Sequence, residues 1–217
     1  MVAPQPMSAS SEGLRGTASG VKAGGPRVAL AGRLACVLGA DTALGRAIAV
    51  ELAGRGAEVR AVGSDARKVG ETVGEIAYQG GRGRPVVSPV SAWSEGAALS
   101  IQEICPEPAD LLVAVSPLAT TPDPSASLHA LLTAIAPGIA LRGALLFATT
   151  GPFARETAPW LRQAARAAAR GDRPFSLNLL ALESADVDVE AAARIAALLC
   201  APDASGLSGQ LLVVASA

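Results

Sequence analysis

The sequence predicts an α/β domain in which a doubly wound parallel sheet is covered by helices on both faces. From residue 33 onward, apolar runs typical of buried strands alternate with segments of helical periodicity. Half of the 217 residues are hydrophobic, which is enough for one sizeable core. Residues 1–32 are rich in Pro, Gly, Ser and Ala and show no periodicity. We therefore expect a flexible, disordered N-terminal tail followed by a single domain over 33–217.

The first half of the domain contains four predicted strands. Their segments are RLACVLG (33–39), GAEVRAVGS (56–64), RPVVSPVS (84–91) and ADLLVAVSP (109–117). Leu44, Ile48 and Leu52 share one face of the helix predicted after the first strand. Further helices are expected over 66–79, where Gly80 and Gly81 end the pattern, and over 95–104.

The second half continues the alternation with three more predicted strands. These are GALLFATT (143–150), FSLNLLAL (175–182) and GQLLVVAS (209–216), and they alternate with helices expected near 126–136, 159–170 and 188–200. Right-handed crossovers between such units give a Rossmann-type sheet.

Composition and cysteine usage exclude several classes of function. A net charge of −1 gives no general attraction to nucleic acid or to an anionic membrane, and no apolar run approaches the roughly 20 residues that span a bilayer. Cys36, Cys105 and Cys200 are an odd, widely spaced set, and with the single His129 they do not form a zinc motif, so we expect no metal. We predict buried thiols, a surface or packing role for His129, and a cytoplasmic protein.

Two long segments resemble the short-chain dehydrogenase/reductase (SDR) family. GRLACVLGADTALGRAIAVELAGRGAEVRAVGSD (32–65) is similar to the family's first strand, glycine loop, helix and second strand. DVDVEAAARIAALLCAPDASGLSGQLLVV (186–214), with Gly206, Gly209, Gln210 and Val214, is similar to its last helix and strand. The resemblance implies an NAD(P)-dependent oxidoreductase fold.

The glycine loop departs from the family pattern Thr-Gly-x-x-x-Gly-x-Gly. Leu38 replaces the threonine and Ala43 the middle glycine, while Gly39 and Gly45 are kept. The Cβ of Ala43 would project where a backbone should approach phosphate. We interpret the loop as a structural turn with poor or no nucleotide affinity, and a working loop is the alternative. Asp41 is the predicted N-cap of the helix.

The other cofactor positions are also altered. Gly63 and Ser64 stand where the family has an acid that selects NAD or an arginine that selects NADP. Ser91 takes the place of the aspartate that holds the adenine, and 114–117 (Ala-Val-Ser-Pro) takes the place of Asn-Asn-Ala-Gly. The resemblance therefore implies no binding, or only weak binding, of NAD(P).

The resemblance places Thr150 at the family's catalytic serine but supplies no Tyr-x-x-x-Lys pair. The only tyrosine is Tyr78, and the lysines are Lys22 and Lys68. Arg155 or Arg162 could supply positive charge, but arginine is a poor proton donor. Leu182 and Glu183 replace the Pro-Gly that precedes the family's substrate lid, and the lid itself is missing.

The chain keeps the segments that pack in the SDR family and changes those that carry its chemistry. This contrast suggests that the chain assembles with other subunits. Small and apolar residues form a strip on the helix at 159–170, beside an arginine ridge that is either a solvated face or a contact with an acidic partner. The strip comprises Trp160, Leu161, Ala164, Ala165 and Ala168, and the ridge comprises Arg162, Arg166 and Arg170. We predict a catalytically deficient structural or regulatory subunit, bound to an active homologue in a hetero-oligomer or to itself. The alternative is a divergent NAD(P)-dependent oxidoreductase that uses Thr150.

Overall fold

A computed structural model of the protein describes residues 29–88, 101–116, 124–150, 157–184, 186–204 and 206–215. The strands are β1 (Leu34–Leu38), β2 (Glu58–Gly63), β3 (Arg82–Val87), β4 (Ala109–Ser116), β5 (Ile139–Thr150), β6 (Ser176–Leu182) and β7 (Leu211–Val214). The helices are α1 (Ala43–Gly54), α2 (Ala66–Tyr78), α3 (Ile101–Ile104), α4 (Pro124–Ile135), α5 (Ala158–Arg170) and α6 (Val189–Leu199).

The strands form one parallel sheet in the order β3-β2-β1-β4-β5-β6-β7. Strands are added outward in one direction from β1 to β3, and in the other direction from β4 to β7. The order reverses between β1 and β4, and in such sheets ligands bind at the carboxyl ends of the strands near this point. The predicted doubly wound α/β architecture is confirmed.

Each face of the sheet buries its own apolar cluster. On one face, α1, α2 and α6 cover the sheet, and Ile48 and Leu52 of α1 are fully buried as their spacing predicts. On the other face, α3, α4 and α5 contribute residues such as Leu128 and Leu161, both fully buried. Both faces are thus withdrawn from water, which explains why the strands are almost continuously apolar.

The predicted boundary of the tail at residue 32 is wrong by a few residues. Leu30 is fully buried in the α1 side of the core, and its N–H donates to the carbonyl of Arg55 at 3.1 Å. A lone leucine among Gly, Ala and Arg gives no periodic signal, so sequence patterning missed it. Residues 1–28 lie outside the described part of the chain.

Two strands begin earlier than their apolar runs. β3 starts at Arg82 because the exposed edge strand pairs through its backbone, with Arg82 opposite Glu58. β5 starts at Ile139, which pairs with Ala109 before the register shifts near Arg142. Arg142 has a φ of 61°, the only positive φ at a non-glycine residue among the described residues. Residues 95–100 of the third predicted helix lie outside the described ranges, and α3 covers only its end.

None of the helices in the described ranges is long and apolar enough to cross a membrane. The described residues also contain no group of three or more His, Cys, Asp or Glu side chains arranged to hold a metal ion. His129 is exposed on α4, and the three cysteines are buried and unpaired, as predicted.

Candidate functional site

The glycine loop between β1 and α1 is held by a cap on Thr42, and the predicted N-cap at Asp41 is wrong. The Thr42 hydroxyl accepts from the N–H of Gly45 at 3.1 Å and donates to the carbonyl of Gly39 at 2.7 Å. Both residues have side chains that suit an N-cap, so sequence alone did not separate them. The cap uses one of the free N–H groups of the first turn, where phosphate would bind in a nucleotide-binding loop.

Gly39 and Gly45 are required by close packing. Gly39 has a φ of 84°, and a Cβ there would lie 2.7 Å from the carbonyl oxygen of Val115 in β4. A Cβ on Gly45 would lie only 2.1 Å from the carbonyl oxygen of Gly39. These contacts bring α1 close to β1 and β4, so the two glycines have a structural role that is independent of any cofactor.

Asp41 reaches across the loop to the end of β2. Its Oδ2 accepts hydrogen bonds from the backbone N–H of Ser64 at 2.8 Å, the hydroxyl of Ser64 at 3.1 Å and the backbone N–H of Asp65 at 3.1 Å. Burial raises the pKa of Asp41, but the hydrogen bonds from Asp65 and Ser64 outweigh that effect and hold the pKa below its ordinary value of 3.8. The carboxylate is therefore charged at neutral pH.

Gly63 leaves the room that this carboxylate needs. A Cβ at Gly63 would lie 2.6 Å from Cγ of Asp41 and 2.8 Å from Cγ2 of Val69. On the other side, the buried hydroxyl of Thr72 donates to the carbonyl of Ala40 at 2.9 Å and fixes the loop against α2. The loop is thus tied to both β2 and α2.

The hydrogen bonds of Asp41 determine whether this end of the site can bind a dinucleotide. Ser64 and Asp65 stand where a cofactor's ribose and any 2′-phosphate would be recognised after the second strand. Their N–H groups and the Ser64 hydroxyl already donate to Asp41, whose charge repels phosphate. Ala43, at the start of α1, is exposed and adds a Cβ to the same loop. The described residues of this half-site therefore do not fit a 2′-phosphorylated dinucleotide.

The proton-transfer side of the site is equally changed. Thr150 lies at the carboxyl end of β5 and is half-buried, where the resemblance placed it. The following helix, α5, contains neither tyrosine nor lysine. Tyr78 is instead the last residue of α2 and is 92% exposed, while Lys68 lies near Asp65 at the start of α2. The structure brings no phenol or ammonium group to Thr150 from its described residues.

Other predicted positions are only partly described. Ser91, Pro117 and Arg155 lie outside the described residues, so their predicted roles stay predictions. Ala114 and Val115 are buried in β4 and offer apolar side chains where the family has asparagines. β6 ends at Leu182, and only residues 183–188 separate it from α6, which agrees with the predicted loss of the lid.

Sequence reasoning missed two features that the fold brings together. One is the bond network of Asp41, for which the only signal was an acidic residue inside a glycine loop. The other is a group formed by Cys36, Arg60 and Cys105, residues that come from β1, β2 and the segment after α3. Nothing in the spacing of these three residues predicts that they meet.

The fold matches solved structures of reductases and dehydrogenases. A dehydrogenase/reductase from Sinorhizobium meliloti 1021 is 21% identical, with a TM-score of 0.68 over 88% of this chain and 96% of that one. The promiscuous reductase LugOII, which catalyses keto-reduction at C1 during lugdunomycin biosynthesis, is 20% identical, with a TM-score of 0.67 over 85% and 95%. This chain has their fold.

A third match carries a cofactor. A 7α-hydroxysteroid dehydrogenase in complex with NADH and 7-oxo glycochenodeoxycholic acid is 19% identical, with a TM-score of 0.62 over 87% of this chain and 94% of that one. No protein-family model matches the sequence, and no curated protein matches it. The resemblance to the SDR family is thus confirmed at the level of the fold, and this chain's own residues decide its chemistry.

Proposed function

We propose that the protein is an SDR-like subunit that has lost hydride transfer and serves as a structural or regulatory partner of a homologous subunit. The observation that carries the proposal is the Asp41 carboxylate, which occupies the donors of Ser64 and Asp65. It does so on a fold whose α5 has no tyrosine or lysine. The proposal includes weak or no NAD(P) binding and a cytoplasmic location, where free thiols persist.

Loss of the phenol and the ammonium group removes the usual acid of carbonyl reduction. A general acid needs a pKa near the operating pH, and neither a threonine hydroxyl nor an arginine has one. Thr150 can donate a hydrogen bond to a carbonyl, but it cannot replace the proton donor. An inert subunit of this fold persists if its surfaces, rather than its site, are used.

The two edges of the sheet differ in their protection against pairing. The β3 edge carries the exposed Arg82 and Arg84 together with Pro85, and charged residues and proline are typical means of blocking an edge strand. The β7 edge reads Leu-Leu-Val-Val and has neither. Of the described strands, only β6 pairs with β7. Among the described residues, this edge of the sheet is therefore unpaired and uncharged.

Three large apolar side chains are exposed in the C-terminal elements α6 and β7 and in the segment between them. Leu198 of α6 is 58% exposed, Leu207 before β7 is 48% exposed, and Val213 within β7 is 37% exposed. Large apolar groups clustered on a surface are typical of interaction sites. We assign this face to the contact with a homologous subunit, whose corresponding edge presents the same backbone groups.

The helix α5 offers a second contact surface. Leu161 and Ala165 are buried against the sheet, whereas Trp160, Ala164 and Ala168 remain half-buried, so the predicted strip is only partly covered. The Trp160 ring packs on Phe147 with centroids 6.2 Å apart. The ridge of Arg162, Arg166 and Arg170 is exposed and makes no ion pair with any residue in the described ranges. An acidic surface on a partner would complement it.

Light scattering on the full chain, alone and with the homologue that co-purifies from the native source, tests the assembly. We expect a dimer or larger species, and Val213→Lys should convert it to monomer because a charge at β7 blocks edge contact. Val87→Lys is the matched control, since Val87 is an exposed valine of the β3 edge. Ala164→Glu should also separate the subunits, and Arg166→Glu should weaken association in a salt-dependent way.

A wild-type chain that stays monomeric in every mixture would contradict the assembly. The divergent oxidoreductase would then be the better interpretation, and the position of Thr150 at the end of β5 is the observation in its favour. That alternative predicts NADH or NADPH oxidation with a carbonyl panel at roughly 1 per second or faster. It also predicts loss of this activity in Thr150→Ala. We expect neither.

A further inference from the structure

Cys36 and Cys105 lie together in the core, on the face of the sheet that α3, α4 and α5 cover. Cys36 belongs to β1 and is fully buried, and Cys105 directly follows the last residue of α3 and is 2% exposed. Both belong to the same apolar cluster. Although 69 positions separate them in the sequence, the fold brings their thiols close enough for each to shift the pKa of the other.

Arg60 brings a positive charge to this pair. It is the register partner of Cys36 in the neighbouring strand β2. Its Nη2 lies 3.3 Å from Oε2 of Glu107, which is two residues beyond Cys105, so the guanidinium is drawn to the same segment. Its Nη1 is buried and has no hydrogen-bond partner. A buried guanidinium nitrogen is costly without an anion, and a thiolate at Cys105 would supply one.

The two thiols differ in acidity, and the difference suits Cys105 to the role of the nucleophile and Cys36 to the role of its partner. The hydrogen bond from Cys36 and the positive charge of Arg60 together lower the pKa of Cys105 to about 7, against the effect of burial. The same hydrogen bond raises the pKa of Cys36, and burial adds to the rise. Cys105 is therefore the thiol that ionises first, and Cys36 keeps its proton.

Cys200 provides an internal contrast. It is buried on the opposite face of the sheet, and desolvation alone raises its pKa to about 12. A thiol of this kind is inert, because the thiolate is the reactive form.

We propose that Cys36 and Cys105 are a redox pair that a small peroxide converts to an intramolecular disulfide. The Cys105 thiolate attacks one oxygen of hydrogen peroxide, the O–O bond breaks, and the departing hydroxide is protonated to water. Cys105 is then a sulfenic acid. The sulfur of Cys36 attacks the Cys105 sulfur, the S–O bond breaks, and the departing hydroxide takes the Cys36 proton as a second water. Two thiols are oxidised and one peroxide is reduced.

Burial sets the rate but does not forbid the reaction. Hydrogen peroxide is small and neutral, and local opening of residues 101–108 gives it access to Cys105. The connection between α3 and β4, which carries Cys105, opens more readily than the central strand that carries Cys36. Cys105 is therefore attacked first, and Cys36 resolves the intermediate once the segment closes.

Peroxide treatment of the reduced full chain, followed by unfolding and alkylation with N-ethylmaleimide, tests the pair. The reduced chain has three free thiols and takes three labels. We expect the oxidised chain to take one label, on Cys200, and a non-reducing peptide map to contain a Cys36–Cys105 cross-link. Three labels after peroxide treatment, or cross-links that involve Cys200 as often as Cys36, would overturn the proposal.

Variants separate the roles of the three residues. Cys36→Ser should leave a sulfenic acid on Cys105 that dimedone traps, Cys105→Ser should leave Cys36 unreacted, and Cys200→Ser should behave as wild type. Arg60→Gln should slow oxidation at about pH 6 by threefold or more, the effect of raising the thiol pKa by half a unit, and Arg60→Lys should restore part of the rate. A rate unchanged in Arg60→Gln would exclude its role. The wild-type peptide map remains decisive if a variant fails to fold.

Discussion

The carboxylate of Asp41 accepts a hydrogen bond of 2.8 Å from the backbone N–H of Ser64 and joins the glycine loop to the end of β2. The donors at the end of β2 that could bind a hydroxyl or a phosphate of a cofactor therefore donate to this carboxylate. The loop keeps the glycines of a nucleotide-binding turn, but its own Asp41 carboxylate accepts the hydrogen bonds from these donors. In this loop the glycines are required for packing, and the donors at the end of β2 are occupied by Asp41.

Removing this carboxylate should improve nucleotide binding. We expect Asp41→Ala to bind NADP at least about tenfold more tightly than wild type, a change of about 1.4 kcal/mol, because donors are freed and a repelling charge is lost. Isothermal titration calorimetry measures the dissociation constant of NADP for the wild-type chain and for Asp41→Ala. Glu71→Gln, which removes an equal charge from the exposed face of α2, should leave binding unchanged.

Tight binding by the wild-type chain would contradict this account of the loop. A dissociation constant of about 10 μM or lower for NAD or NADP corresponds to about 7 kcal/mol and needs an open site. Equal gains in Asp41→Ala and Glu71→Gln would show that general charge, and not the position of Asp41, controls the affinity.

The Asp41 contacts should make stability depend on pH in acid. The folded-state pKa is lower than the ordinary value of 3.8, so the unfolded chain takes up the proton first as pH falls. The stabilisation is complete above that value and is lost as pH falls through the folded pKa. Urea unfolding of wild type and Asp41→Asn should differ by about 1 kcal/mol at neutral pH, since the group is largely exposed. This difference should shrink below pH 3.8, and one that stays constant would exclude ionisation as its source.

Gly45→Ala should destabilise the fold severely. The added Cβ would overlap the carbonyl oxygen of Gly39 at 2.1 Å, and this backbone atom directly follows the central strand β1 and has little room to move. We expect a loss of more than about 3 kcal/mol, or no folded protein. Gly74→Ala in the middle of α2 is the control, because its Cβ meets nothing within 4 Å. It should stabilise the chain by up to about 1 kcal/mol. Thermal unfolding by circular dichroism compares the two, and similar melting temperatures would contradict the close packing.

Asn178 should control how firmly β7 is attached. This buried residue of β6 donates from Nδ2 to the carbonyl of Leu207 at 2.9 Å and accepts at Oδ1 from the N–H of Gln210 at 3.0 Å. Asn178→Leu removes both bonds, leaves their partners unsatisfied, and should cost about 2 to 4 kcal/mol. Hydrogen exchange should accelerate at Gln210 and in β7 before it does in β1. Uniform acceleration throughout the sheet would instead indicate a global loss of stability.

The sequence by itself determined the fold class, the order of strands and helices, and the absence of a Tyr-x-x-x-Lys pair. Periodicity and composition are properties of neighbouring residues, so the buried face of α1 with Ile48 and Leu52 could be predicted from spacing alone. The absence of a tyrosine at the position of the family's Tyr-x-x-x-Lys pair can likewise be read directly from the sequence. The burial of all three cysteines followed from their apolar surroundings.

Only the tertiary structure decided which groups contact one another across the chain. Asp41 and Thr42 are adjacent and chemically alike as caps, but β2 lies within reach of Asp41, and this third element sends the carboxylate to Ser64 while Thr42 caps α1. Cys36 and Cys105 lie in the same cluster because the chain returns from β3 at the edge of the sheet to β4, which pairs with β1. Such residues come within contact distance only when the crossover connections are formed, and no local pattern of residues encodes these contacts.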